Sequence, residues 1–113
     1  MKIRNHKLYI LDIIDAIETI FEFIGTMNYE EFAKDKKTLS AVIWKFEIIG
    51  EATKNISNEI FLKYNNIPWA EMARMRDRLI HGYESIKPEI IWKTIKDDLP
   101  NLIDKLKKIP KKL

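Results

Sequence analysis

The chain lacks cysteine and glutamine altogether, and its 113 residues include only three glycines, four prolines and two histidines. Without cysteine there are no disulfides, no thiol catalysis and no zinc–thiolate sites. So few glycines leave no Gly-rich loop to cradle a phosphate and no flexible linker. No apolar run reaches the ~18 residues that a membrane span needs. The stretch from Tyr9 to Ile24 is interrupted by Asp12, Asp15, Glu18 and Glu22, which is not the pattern of a signal peptide. The expectation is a cytoplasmic protein with one domain over residues 1–113, needing neither cofactor nor metal. The missing glutamine, together with the Ile, Lys and Glu load, fits a thermophile composition and equally a biased genome.

What is present is a globular composition, 46% hydrophobic and 33% charged, with a formal charge of +3. That mild excess is compatible with a nucleic-acid partner without demanding one. The apolar residues recur at helical spacing. Ile10, Ile13, Ile17, Ile20, Ile24 and Met27 predict a helix over residues 6–27. Asn28 is a suitable cap, and Tyr29 to Ala33 is a short helical turn or loop. Leu39, Val42, Phe46, Ile49 and Ile56, with Thr53 in the gap, predict a second helix over 37–57. Trp44, Ile43 and Ile48 make it apolar on more than one side, as in the middle of a bundle or at a subunit contact. Gly50 and Ala52 allow close helix approach. Glu51, between them, reads either as a solvated carboxylate or as a supporting group at a site.

Residues 58–64 form a short helix. Pro68 is placed to begin the next one, which runs to about His81, with Gly82 as a stop. Lys87-Pro88 opens the last helix, whose stripe is Trp92, Ile95, Leu99, Leu102, Leu106 and Ile109. Pro100 falls inside that stripe and must kink or split it. Ile109 to Leu113 reads as a frayed basic tail. No segment alternates with period two, so the fold class is all-α. Four main helices with short connections read as an up-and-down bundle of four to five helices.

Three of the four arginines lie in one segment, Arg74-Met75-Arg76-Asp77-Arg78-Leu79-Ile80-His81-Gly82-Tyr83. Elsewhere lysine carries the positive charge. Guanidinium is a planar fork suited to phosphate, which ammonium is not. The stripe of this helix is Trp69, Met72, Arg76, Leu79 and Tyr83, so Arg76 occupies an apolar slot and needs a partner or a ligand. It can reach a surface carboxylate, join an intersubunit ion pair, or bind phosphate. His81 stands where the helix dipole favours imidazolium, as a capping group or as a proton carrier. Arg, His and Tyr together supply a phosphate-binding cation, a proton-transfer group and a base-stacking phenol. Those are the parts required to cleave RNA without metal.

Arg76-x4-His81-x-Tyr83 resembles the signature of the HepT branch of HEPN-domain ribonucleases. The likeness extends through Ile67-Pro68-Trp69, Met75 to Tyr83, Ile49-Gly50-Glu51-Ala52 and Asp98-Leu99-Pro100, covering roughly residues 6–108. It departs at Asp77, often Asn in that family, and at Glu84, often Phe. The resemblance implies a HEPN-like helical bundle that forms a homodimer, its two motifs facing each other. It implies a metal-independent endoribonuclease acting as a toxin. Its antitoxin partner would be a minimal nucleotidyltransferase of the MNT type, which adds AMP to Tyr83. On this reading Arg76 and His81 are the catalytic pair and Asp77 and Glu51 support them. Arg74, Arg78 and Tyr83 contact RNA. The rival reading is a non-catalytic helical module that binds a nucleotide or a protein, with Arg76 only an interface charge.

Overall fold

The computed structural model describes residues 6–80 and 86–110. Among the described residues every regular element is helical. The order is α1 (His6–Ile24), α2 (Tyr29–Lys34), α3 (Lys36–Lys54), α4 (Asn58–Lys63), α5 (Trp69–Ile80), α6 (Pro88–Lys93), a π turn (Thr94–Asp98) and α7 (Leu99–Lys107). The fold is thus the all-α bundle that the apolar spacing predicts, consistent with the HEPN-like bundle that the resemblance implies. No helix is long and apolar enough to cross a membrane among these residues.

Helix α3 is the hub, packing against α1 on one side and α5 on the other. Its inward residues Val42, Phe46 and Ile49 are fully buried, facing a core that includes Ile13, Ile17 and Ile20 of α1. Thr53 fills the gap in the stripe as expected. It is fully buried, and its hydroxyl donates to the Ile49 carbonyl at 2.7 Å, which relieves the cost of enclosing a polar group. The first and last limbs run antiparallel. Lys7 and Leu11 near the start of α1 lie beside Lys107 and Pro110. Phe21 and Ile24 near its end lie beside Ile95 and Pro100.

The helix boundaries follow local chemistry. Asn28 caps α2: its side chain accepts from the Glu31 N–H, and the Glu31 carboxylate accepts from the Asn28 N–H. This reciprocal box makes residues 29–34 a regular helix. Asp35 ends that helix and caps α3 in turn, accepting from the Thr38 N–H at 3.0 Å. Helix α1 stops at Ile24, three residues earlier than its stripe suggests, because Gly25 takes φ +53° and closes it in the left-handed conformation open to glycine. Likewise α3 ends at Lys54, although Ile56 beyond it is buried.

Pro100 has its effect upstream. The Leu99 N–H bonds to the Thr94 carbonyl, five residues back. One widened turn therefore absorbs the missing N–H and the clash that proline would cause in a tight helix. The stripe continues past it, with Ile95, Leu99, Leu102 and Leu106 all buried. Ile109 is buried too, so the chain is anchored beyond α7 and the fraying expected from Ile109 onward does not begin there; residues 111–113 lie outside the described residues. Between α2 and α6, the Tyr29 hydroxyl donates to Glu89 Oε2 at 3.4 Å. Partial desolvation, and then the Glu89 charge and hydrogen bond, raise the Tyr29 pKa above its ordinary value.

Candidate active site

Helix α5 is fixed at its start by aromatic packing. Trp69 is buried, donates its indole N–H to the Tyr64 carbonyl at 3.0 Å, and stacks on Phe61 with ring centres 5.2 Å apart. Pro68 sits just before the helix rather than in it, and its carbonyl accepts from the Met72 N–H at 3.0 Å. From there Met72, Met75 and Leu79 point inward and are buried. Met75, not Arg76, takes the central apolar slot.

Arg76 comes ~100° further round the helix, on the flank that meets α3. Opposite it stands Gly50. A Cβ on Gly50 would lie only 3.1 Å from Arg76 Cβ and 3.7 Å from the Ala73 carbonyl oxygen. The small residue lets the two helices close up at the arginine. The guanidinium then turns outward, its side chain 43% exposed. Nη1 donates to Asp77 Oδ1 at 3.1 Å, and Nε lies 3.7 Å from Glu47 Oε1. Arg76, Trp44, Glu47, Ile48 and Glu51 line a shallow pocket of about 270 Å³. Trp44 forms its lip and is 60% exposed.

Arg74 and Arg78 do not share this pocket. They lie one turn apart on another face of α5, where with Glu71 and Asp77 they border an open depression of about 430 Å³. Arg78 also approaches Asp98, the last residue of the π turn, Nη2 to Oδ2 3.9 Å. Glu71 and Arg78 also line a separate groove of about 150 Å³ that reaches Asn101 and Lys105. Asp77 joins the two faces, since it lines the depression and holds Arg76. His81, Gly82, Tyr83 and Glu84 lie outside the described residues.

The structure places Asp77 and Glu47 on Arg76, and Glu51 in the lining of the same pocket. One guanidinium is engaged by two carboxylates, with a third, Glu51, in the lining of its pocket and two further guanidiniums around the helix. Such a cation is oriented and partly neutralised; an incoming phosphate must share it with carboxylates. Glu47 does not stand out in the sequence because it sits between apolar neighbours in a two-sided stripe. The signal was there: it is one helical turn before Glu51 and three residues before the glycine that opens the α3–α5 contact.

The fold is an all-helical bundle that sets an arginine-rich helix against a Gly-Glu-Ala segment. The profile of the Ribonuclease HepT-like family matches residues 13–109, and the chain belongs to that family. A protein of Thermococcus cleftensis named "Probable ribonuclease HepT" is 51% identical over 108 residues, 96% of this chain and 98% of its own length. Two further relatives are named "Putative RNase". One, from Methanocaldococcus jannaschii, is 42% identical over 96% of this chain and 89% of its own length. The other, from Caldanaerobacter subterraneus, is 38% identical over 96% of this chain and 97% of its own length. No solved structure matches the chain.

Proposed function

We propose that the protein is a metal-independent endoribonuclease whose catalytic pair is Arg76 and His81. The observation that carries this reading is the setting of Arg76. It is the one arginine of α5 pressed against α3 by a glycine contact and aimed into a pocket, and it opens the Arg-x4-His-x-Tyr motif of a family named for ribonuclease activity. Arg76 holds the scissile phosphate and stabilises the negative charge of the phosphorane. His81 carries protons, away from the attacking 2′-hydroxyl and onto the leaving 5′-oxygen. Asp77 orients Arg76 through the hydrogen bond at 3.1 Å, and Glu51 supports the pocket from α3. Arg74 and Arg78 guide the RNA backbone along the adjoining face, in a salt-dependent way.

The working unit on this reading is a homodimer formed through α3 and α5, in which each motif completes the other's site. The exposed Trp44 beside Arg76 supports that choice of face. The physiological setting is a toxin–antitoxin pair. A minimal nucleotidyltransferase moves AMP from ATP to the Tyr83 hydroxyl and releases pyrophosphate. The new phosphodiester anion competes for the arginines that serve RNA, and the adenosine fills the groove.

Two measurements test this. The purified chain should cut RNA in excess EDTA and leave 2′,3′-cyclic phosphate ends; products ending in 3′-hydroxyl would mean another mechanism. Incubation with the transferase and ATP should add AMP mass to the wild type and none to Tyr83→Phe. Equal modification of both would move the acceptor elsewhere.

A further inference from the structure

We propose that Glu47 is a positioning residue for Arg76, the part of the site contributed by α3; this rests on the ribonuclease reading above. Asp77 alone cannot fix the guanidinium. It is the next residue on the same helix, its side chain is 58% exposed, and it draws Nη1 along α5 toward solvent. Glu47 acts from the other helix, with its carboxylate 3.7 Å from Nε and 34% exposed. The Gly50 contact brings α3 close enough for that reach. Two carboxylates on two helices, engaging different nitrogens, define a plane for the guanidinium where one would leave it to swing. With Glu47 against the Nε side, the Nη1–Nη2 end is left for phosphate, which must share Nη1 with Asp77 to be gripped by both nitrogens.

Glu47 also carries a negative charge beside a phosphate site, so it opposes RNA binding while it favours the reactive geometry. This gives a signature that a merely structural residue does not have. Glu47→Gln keeps the shape and removes the charge. Its kcat should fall by about tenfold to a hundredfold, the range for a misplaced reacting group, while KM stays level or falls. Glu47→Asp should recover part of the loss. In an Arg76→Lys background, Glu47→Gln should cost nothing further, since the two act as one unit.

A readout independent of cleavage completes the test. The chain has four arginines, so the Arg76 side-chain Nε–H resonance is assignable by its disappearance in Arg76→Lys. In Glu47→Gln it should shift and exchange faster with water, while the thermal melt stays close to the wild type. An unchanged resonance overturns the proposal whatever the cleavage result. So does a kcat equal to or above the wild-type value in Glu47→Gln. A shifted resonance in a protein that cleaves no RNA would keep the positioning role and reject the ribonuclease reading.

Discussion

Arg76 owes its place to a residue with no side chain. Gly50 costs α3 about 1 kcal/mol of helix propensity relative to alanine, and in return α5 approaches to a distance that a Cβ would fill. Gly50→Ala therefore has two opposed effects. The propensity gain of about 1 kcal/mol works against an overpacking cost of about 1–3 kcal/mol. The atom in the way is the Cβ of a helical residue, which moves only with its backbone, so overpacking should win. Urea unfolding should show a net loss of about 1 kcal/mol, and RNA cleavage should fall further than that loss of stability explains. A stabilised, fully active variant would mean that the close approach has no function. At this scale the sequence was half legible. Arg76 and Asp77 stood out by residue type in a lysine-rich chain, and Glu51 by its small neighbours. Glu47 did not, because its importance lies in a contact between helices that periodicity alone does not register.

The helices themselves were legible because this chain keeps its apolar residues at spacings of three and four through α1, α3, α5 and the last limb. Their ends were less so, since ends depend on conformations of single residues. Gly25 closed α1 early through its positive φ, and Asn28 with Glu31 turned a doubtful turn into α2. Pro100 altered hydrogen bonding upstream of itself and left the stripe intact. Asp35 gives the clearest test of a cap. Its hydrogen bonds with Thr38 hold its carboxyl below the ordinary 3.8. A carboxyl depressed on folding adds stability above its unfolded value, and that stability is lost as pH falls through the folded one. Asp35→Asn should thus lower the melting temperature at pH 7, and the gap from wild type should close as the pH drops well below 3.8. A gap independent of pH would show that the charge at this cap contributes nothing.

At the scale of the whole molecule, the face containing Arg76 looks unfinished. Trp44 lies 60% exposed beside half-buried Ile43 and Ile48, and the pocket has more carboxylates than cations. A second copy docked through α3 and α5 would cover the apolar edge and bring another arginine motif to the site. Such an interface should bury more than ~1,000 Å² in total, and light scattering should give twice the chain mass at micromolar concentration; a monomer would argue against a composite site. The bundle was readable from one sequence because burial alone demands it. The activity was not, because on the proposed reading it depends on how Arg76 and His81 stand toward RNA, which apolar spacing does not encode. The most direct measurement is RNA cleavage in EDTA by wild type, Arg76→Lys and His81→Ala, each checked for folding by its thermal melt. His81→Ala should lose about 10²–10⁴-fold in kcat/KM, and Arg76→Lys should also be severely impaired, because ammonium cannot grip two phosphate oxygens at once. Full cleavage by either folded variant would contradict the assignment of the catalytic pair.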